Sequence, residues 1–166
     1  MRLRVERLDR QSLAGFSCGH GGLDEWLALH ATSATGHGIR TYLLINGAER
    51  VVGYFSLAPH LLSRGEAPRR LARGAPENIP AVLLAKLALD TTLHGQGLGA
   101  ELLVRALETI LGAAREVGGR VIVVDAIDAA ARSFYERHDF RPLPGASHRL
   151  IMKMSTAARA LGIDWP

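Results

Sequence analysis

Several residue types are scarce in this sequence, and each scarcity excludes a class of protein. Cys18 is the only cysteine among 166 residues, so neither an intrachain disulfide nor a cysteine-rich zinc site can form. No apolar run reaches the roughly 18 residues that a membrane-spanning helix requires. Residues 1–15 are charged and do not resemble a secretory signal peptide. We therefore expect a cytoplasmic protein with no membrane partner.

Lysine is also scarce. Lys86 and Lys153 are the only lysines among 20 basic residues, and the other 18 are arginines. Two explanations stay open: a bias in genomic base composition, or phosphate binding, for which the planar guanidinium is well suited. With 48% hydrophobic residues and a net charge of only +4, the chain does not have the composition of a disordered protein. Its length is that of one domain, and we expect residues 1–166 to form it.

The hydrophobic pattern predicts a mixed α/β layer fold. Asn46-Gly47 between two β-rich runs predicts a hairpin, because both residues tolerate a positive φ. Residues 59–80 lack a long apolar face and are predicted to form a loop with one short helix. The predicted strands are residues 2–8, 40–45, 50–57, 81–89, 120–126 and 150–154, of which 81–89 and 120–126 are expected to be buried on both faces.

Three helices are predicted. Residues 23–31 form the first, with Leu23, Trp26, Leu27 and His30 on one side. A long amphipathic helix begins near Leu98 and ends at Gly118-Gly119, with a favourable i,i+4 pair between Glu101 and Arg105. Residues 128–138 form the third, with Asp128 as the N-cap.

The most informative local pattern is a glycine-rich turn between the strand 81–89 and the long helix. Gly95, Gly97 and Gly99 let the backbone approach a ligand and leave the first N–H groups of the helix free. Such a helix start binds phosphate or pyrophosphate. The turn lacks the Gly-Lys-Ser/Thr of a Walker loop and the G-x-G-x-x-G spacing of a Rossmann loop. A tight strand-to-helix connection with no ligand is the alternative explanation.

Two signatures, in this order along the chain, resemble the GNAT superfamily of N-acetyltransferases. Residues 94–99 resemble its acetyl-CoA loop, Gln/Arg-x-x-Gly-x-Gly/Ala. Residues 128–140 resemble its second signature, Asn-x-x-Ala-x-x-Phe-Tyr followed by Gly-Phe. His94, Asp128 and Asp139 depart from these patterns, standing in place of Gln or Arg, Asn, and Gly. We expect His94 still to point a donor at a phosphate, and Asp128 to cap its helix while facing away from the phosphates.

The resemblance extends to the TacT-type acetyltransferase toxins through residues 16–27, 52–58 and 84–90. It implies a GNAT-like α/β fold: a mixed, largely antiparallel sheet flanked by helices, with a V-shaped acetyl-CoA cleft. It also implies acetylation of the α-amino group of an aminoacyl-tRNA, with glycyl-tRNA as one candidate, and hence a block of translation. Acetyl-CoA is the implied co-substrate. A ribbon-helix-helix antitoxin and a second copy of the chain are the implied protein partners.

The resemblance also assigns roles to individual residues. Tyr135 is the implied general acid, and a phenol with an ordinary pKa of about 10 is protonated at neutral pH. Residues implied in acetyl-CoA binding are Leu87, Ala88, Leu89, His94, Gly95, Gln96, Gly97, Leu98, Gly99 and Phe134. The alternative for Tyr135 is a core tyrosine whose hydroxyl caps a backbone group. Cys18 has no evident histidine partner and is not favoured as a nucleophile, and the histidines show no metal-ligand spacing.

Four arginines lie in one segment that holds only two acids, Glu66 and Glu77. We expect these arginines to bind the phosphates of tRNA, together with Lys86; the four are Arg64, Arg69, Arg70 and Arg73. A solvated face that keeps the protein soluble is the alternative. A GNAT enzyme that acetylates a small amine or a protein amino group also stays open, as does a CoA-binding regulator without turnover.

Overall fold

A computed structural model of the chain describes residues 2–145 and 148–166. The strands of this part are β1 (Leu3–Arg7), β2 (Arg40–Asn46), β3 (Val51–Ser63), β4 (Asn78–Leu89), β5 (Val121–Asp125), β6 (Arg141–Pro142) and β7 (Arg149–Lys153). Its α-helices are α1 (Gly21–Glu25), α2 (Ala31–Thr35), α3 (Arg69–Ala72), α4 (Leu98–Val117), α5 (Ala129–Arg137) and α6 (Met154–Leu161). None of the helices in these described ranges is both long and apolar enough to span a membrane.

The strands form one mixed sheet in the order β1-β2-β3-β4-β5-β7-β6. β4 and β5 are parallel, whereas β1 and β2, β2 and β3, β5 and β7, and β6 and β7 pair antiparallel. The parallel register runs from Ala81↔Val121 to Leu84↔Val124, and β4 itself continues to Leu89. The sheet is therefore mixed and mostly antiparallel, as the resemblance implies; the V-shaped cleft stays a prediction.

The chain divides into two compact units, one of Met1–Ala58 with Ala85–Ala106, the other of Pro59–Leu84 with Leu107–Pro166. The core of the first unit contains the buried side chains of Leu27, Leu43 and Tyr54. The core of the second contains Leu62, Ile79 and Val121 among others. Three elements, β3, β4 and α4, contribute residues to both units.

Residues 59–80 are more regular than predicted. β3 continues to Ser63, and β4 already begins at Asn78; a 3-10 turn (Arg64–Glu66) and α3 lie between them. Leu62 and Ile79 are fully buried in the core of the second unit, together with Leu71 of α3. Prolines at 59 and 80 hid these strand ends in the sequence, because proline is usually confined to strand edges and turns. The predicted short helix is confirmed.

β4 is not buried on both faces as predicted. Ala81, Leu84 and Ala88 are buried, while Val82, Leu87 and other side chains between them are half-buried. β5 is different, because Val121, Ile122, Val123 and Val124 are all buried, as expected of a strand covered on both faces. Both strands were predicted to be buried on both faces because each consists of a run of apolar residues.

The hairpin between β2 and β3 is confirmed, but not for the predicted reason. Neither Asn46 nor Gly47 has a positive φ; Glu49 does, at 61°. The Asn46 side chain instead stabilises the turn, because its Oδ1 accepts the N–H groups of Ala48 and Arg50, both at 3.0 Å.

The first helical segment also differs from its prediction. It begins at Gly21, passes through a π-helical stretch (Trp26–His30) and ends with α2 at Thr35. The wider π turn moves the buried face, so Leu27 and Ala31 are buried whereas His30 is exposed. His30, predicted on the same side as Leu23, Trp26 and Leu27, thus does not share their burial.

The long helix and the capped helix follow the sequence closely, and the C-terminal helix was missed. In α4, Arg105 donates to Glu101 at 3.0 Å, and in α5 the Asp128 carboxylate accepts the N–H of Ala131 at 2.8 Å. The last strand ends at Lys153 instead of 154, because Met154 begins α6. The short apolar run before α6 concealed the change from strand to helix.

Candidate functional site

The glycine-rich turn joins the end of β4 to the start of α4. Gly95 and Gly97 have φ values of 75° and 77°, in the left-handed region that favours glycine. A Cβ built on either residue meets no protein atom within 4 Å. The backbone conformation, and not crowding by protein atoms, therefore requires these two glycines, while Gly99 lies in the first turn of α4.

The N–H groups of this turn have the character of an anion site. Within the described residues, the N–H groups of Gly95, Gln96 and Gly97 donate no hydrogen bond. Leu98 begins α4, and the first N–H groups of a helix have no intrahelical acceptor. Unpaired N–H groups beside the positive end of a helix dipole suit a phosphate or pyrophosphate. The turn thus fits the diphosphate that CoA carries.

Side chains on both sides of the turn fix its conformation. Asp90 follows β4, is only 5% exposed, and accepts the N–H groups of Ser17 and Thr92 and the Thr92 hydroxyl. Gln96 donates from Nε2 to the Thr92 carbonyl at 3.1 Å. Burial opposes the charge of Asp90, but these hydrogen bonds outweigh it and lower the carboxyl pKa below its usual value. Sequence reasoning missed Asp90, although Asp-Thr-Thr after a strand is a capping pattern.

His94 is held against the main chain. Its Nε2 forms a hydrogen bond of 2.7 Å with the Leu89 carbonyl. Because a carbonyl can only accept, Nε2 is the donor in this bond, and in that tautomer Nδ1 has no hydrogen to donate to a phosphate. Leu89 was itself predicted to bind the pantetheine arm, and its carbonyl is already engaged by His94. Of the other β4 residues assigned to that role, Ala88 is buried and Leu87 is half-buried.

Tyr135 lies on the inner side of α5 among aromatic rings. It is 7% exposed and makes edge contacts with Phe134 and Phe140, both with ring centroids 5.4 Å apart. Phe134 in turn stacks on His138 at 4.6 Å. Burial raises the pKa of Tyr135, so its hydroxyl is protonated at neutral pH. Within residues 2–145 and 148–166, no hydrogen bond of this hydroxyl is found.

Asp139 explains one departure from the family pattern. It has a φ of 69°, a conformation that costs little for glycine and more for other residues. The family's glycine at this position thus matches a backbone requirement, which aspartate meets here. Phe140, the next residue, is fully buried.

Cys18 has a structural environment. Its thiol is buried in the core of the first unit, and its N–H donates to Asp24 at 2.9 Å. Burial, with the Asp24 carboxylate beside it, raises the thiol pKa to about 11. The thiolate is the nucleophilic form, so Cys18 is unreactive at neutral pH.

The arginine segment forms an open surface pocket of about 510 Å³. Arg64, Arg69 and Arg73 line it, together with Gly65 and Ala72. Arg64 also donates to the Ala75 carbonyl at 3.1 Å, which fixes one side of its guanidinium.

Two predicted cations do not line this pocket. Arg70 is exposed on α3. The Lys86 ammonium lies 5.4 Å from the centroid of the Trp26 ring, in a cation–π contact. The structure thus brings three of the five predicted tRNA-binding residues together.

Two curated relatives match nearly the whole chain. No family model matches it. The chain is 33% identical over 154 residues to a tRNA-acetylating toxin of Mycobacterium tuberculosis, and the match covers 93% of both chains. It is 26% identical over 171 residues to a probable toxin TacT of Sinorhizobium fredii, covering 95% of this chain and 94% of that protein.

Solved structures with the same fold include KacT and the toxin AtaT. A KacT mutant with one tyrosine replaced by phenylalanine superposes with a TM-score of 0.88 at 27% identity, covering 96% of this chain and 99% of KacT. AtaT complexed with acetyl-methionyl-tRNAfMet gives 0.87 at 29% identity, covering 96% and 99%. AtaT with its antitoxin and bound acetyl-CoA gives 0.82 at 29% identity, covering 96% and 98%.

Proposed function

Because the chain belongs to the family of tRNA-acetylating toxins, which are acetyl-CoA-dependent N-acetyltransferases of the GNAT fold, we propose that it acetylates the α-amino group of an aminoacyl-tRNA and so blocks translation. The observation that carries this proposal is the match to a tRNA-acetylating toxin over 93% of both chains. The glycine turn, with its unpaired N–H groups, is the structural feature that suits the required co-substrate.

Acetyl-CoA supplies an acetyl group activated as a thioester. The N–H groups of Gly95, Gln96 and Gly97 hold its diphosphate, aided by the start of α4. Leu87, Ala88 and Leu89 contact the pantetheine arm, and Phe134 adds an apolar contact. His94 contributes by bracing the Leu89 carbonyl at 2.7 Å, which keeps the end of β4 in place.

Tyr135 is the proposed general acid. Loss of CoA from the thioester produces a thiolate, which must take up a proton. The phenol of Tyr135 can take this role, because it is protonated at neutral pH and its hydroxyl has no hydrogen-bond partner among the described residues. The attacking α-amino group needs no strong base, since an aminoacyl ester is less basic than an ordinary α-amine with a pKa of about 7.7.

Arg64, Arg69, Arg70 and Arg73 are the proposed contacts for the tRNA backbone. All four are exposed, and three of them converge on one pocket, as a surface for a polyanion requires. We also retain Lys86 as a tRNA contact. Its ammonium covers Trp26 and forms no ion pair within the described part of the chain.

The proposed protein partners are a ribbon-helix-helix antitoxin and a second copy of this chain. Among the structural neighbours, AtaT has been solved bound to the C-terminus of the antitoxin AtaR, and AtaT–AtaR has been solved bound to DNA. We propose an analogous pairing here. A short open reading frame adjacent to the gene would supply the antitoxin.

A transfer assay tests the proposed function. Labelled acetyl-CoA is incubated with total tRNA, either charged or deacylated, and we expect label only in charged tRNA. Individually charged tRNAs, glycyl- and methionyl-tRNA among them, then identify the amino acid. Label in a small amine or a protein, with none in charged tRNA, would establish the alternative GNAT activity instead.

Gly97→Glu tests the glycine turn. It places a carboxylate and a strained φ beside the proposed diphosphate site, so we expect acetyl-CoA binding measured by calorimetry to fall at least about 100-fold. Gly112→Glu is the matched control, because Gly112 lies in α4 with an ordinary φ and open space around it. Equal affinity in the two folded variants would remove the turn from the site.

A further inference from the structure

A second basic pocket, of about 450 Å³, contains no residue of the glycine turn or of the arginine segment's own pocket. It lies where α4 ends, β5 begins and β7 passes into α6. The residues that give it chemical character are Arg115, Arg120, Lys153, Ser155 and Trp165. All three cations are exposed, and the Trp165 ring is half-buried at the pocket wall.

The strand ends bring two of these cations together. Lys153 is the register partner of Val121, and the N–H of Met154 donates to the Arg120 carbonyl at 2.9 Å. Arg120 and Lys153 are therefore neighbours at adjacent strand ends. Within the described residues, neither side chain forms an ion pair.

The start of α6 adds positive potential to the same pocket. Lys153 is the N-cap of this eight-residue helix, and no side chain caps its N–H groups. A cation at this end opposes the helix dipole, so Lys153 does not serve helix stability. Arg115 differs, because it lies in the last turn of α4, where a cation is favourable. The combination of Arg120, Lys153 and an uncapped helix start is suited to an anion.

Trp165 and α3 narrow the class of anion. An indole face beside a phosphate-binding group suits a nucleotide, because every base can stack on an aromatic ring. Leu71 of α3 lines this pocket, while Arg69, Ala72 and Arg73 of the same segment line the arginine pocket. Residues of α3 thus line both pockets.

We infer that this pocket is a second contact for the tRNA, in which Arg120 and Lys153 bind a backbone phosphate and Trp165 stacks on a base. The inference rests on the proposed function and adds a contact outside the arginine segment. The two lysines of the chain thus lie in different places: Lys153 lines this pocket, whereas Lys86 contacts the Trp26 ring.

The test is a double charge reversal, Arg120→Glu with Lys153→Glu. The matched control is Arg2→Glu with Arg10→Glu, two exposed residues that change the net charge equally. Binding of deacylated tRNA is measured by fluorescence anisotropy between about 50 and 200 mM salt. We expect the test variant to bind about tenfold more weakly at low salt, with a salt slope shallower by about two, and the control to keep the wild-type slope. Acetyl-CoA affinity and circular dichroism should be unchanged in both.

Trp165 is tested separately. Trp165→Leu should weaken tRNA binding about tenfold without changing the salt slope, because a base contact and not a charge is lost. Trp165→Phe retains an aromatic face and should recover most of the affinity.

The outcomes separate this inference from the proposed function. Equal losses in the two double variants would overturn the inference, leaving only a general charge effect. The inference would also be overturned if the Arg120→Glu, Lys153→Glu variant bound tRNA normally but no longer bound duplex DNA or the antitoxin. The pocket would then belong to one of those partners. Binding is measured with deacylated tRNA and therefore does not depend on acetyl transfer. If the wild-type protein failed to acetylate charged tRNA, the proposed function would be rejected, and the binding result would still test this pocket.

Discussion

The two tyrosines Tyr54 and Tyr135 occupy similar environments and are expected to do different work. Both are buried, at 0% and 7% exposure, and burial raises the pKa of both. The Tyr54 hydroxyl donates to the Leu23 carbonyl at 2.7 Å, whereas the Tyr135 hydroxyl has no partner among the described residues. Burial alone thus does not separate the two phenols, whereas the hydrogen-bond partner of the hydroxyl does.

Replacement of Tyr135 by phenylalanine should give the largest effect. Tyr135→Phe removes only the transferable proton, so we expect kcat for charged tRNA to fall by about 10²–10⁴. Acetyl-CoA affinity and the free energy of unfolding should hardly change, since the Tyr135 hydroxyl forms no hydrogen bond with any described residue. Pre-steady-state transfer assays and urea denaturation measure these quantities. A wild-type rate would show that water or another group protonates the thiolate.

The same change at Tyr54 should have the opposite consequences. Tyr54→Phe removes one of the two hydrogen bonds that the buried Leu23 carbonyl accepts, the other coming from the Trp26 N–H, and this costs about 1 kcal/mol of unfolding free energy. Per enzyme molecule that remains folded, kcat should be close to wild type. If Tyr54→Phe lowered kcat as much as Tyr135→Phe, the assignment based on hydrogen-bond partners would be wrong.

A conservative change at Cys18 should have a smaller effect. Cys18→Ser places a hydroxyl at a buried position, at a cost of about 1 kcal/mol in unfolding free energy. Its thiol is protonated at neutral pH, because burial raises its pKa to about 11, so kcat should not change. Loss of acetyl transfer in a folded Cys18→Ser protein would revive a covalent route.

The smallest expected effect is the pH dependence on the alkaline side. A general acid is active when protonated, so activity is lost as the pH rises through its pKa. Burial raises the pKa of Tyr135 above its ordinary value of about 10, which places that loss above pH 10. Single-turnover rates should therefore rise as the amine loses its proton and then stay level to about pH 9. A fall between pH 7 and 9 would exclude Tyr135 as the general acid.

The sequence predicted best those features that depend on neighbouring residues. The N-cap at Asp128, the i,i+4 pair of Glu101 and Arg105, and the extent of α4 each follow from contacts within one or two helical turns. The hairpin was also found, although the Asn46 side chain and not a positive φ at Gly47 stabilises it. The Asn46-Gly47 dipeptide thus predicted where the turn lies but not which interaction stabilises it.

The errors arose where burial depends on distant parts of the chain. The apolar runs of β4 and β5 look alike, yet only β5 is buried along its whole apolar stretch. His30 was placed on the side of Leu23 and Leu27 because a regular helical period was assumed, and the π-helical stretch changes which residues share that side. The ends of β3 and β4 were missed because prolines interrupt runs whose Leu62 and Ile79 are core residues.

The sequence by itself determined the glycine turn, the second signature and the resemblance to acetyltransferase toxins, because these are carried by residues close together in the chain. Tertiary structure alone decided which tyrosine hydroxyl has a partner and that His94 bonds the Leu89 carbonyl. It also brought Arg120 and Lys153 together, which lie 33 residues apart in the sequence. The physical reason is that hydrogen-bond partners, burial and charge clusters are set by strand pairing and packing, which join distant segments.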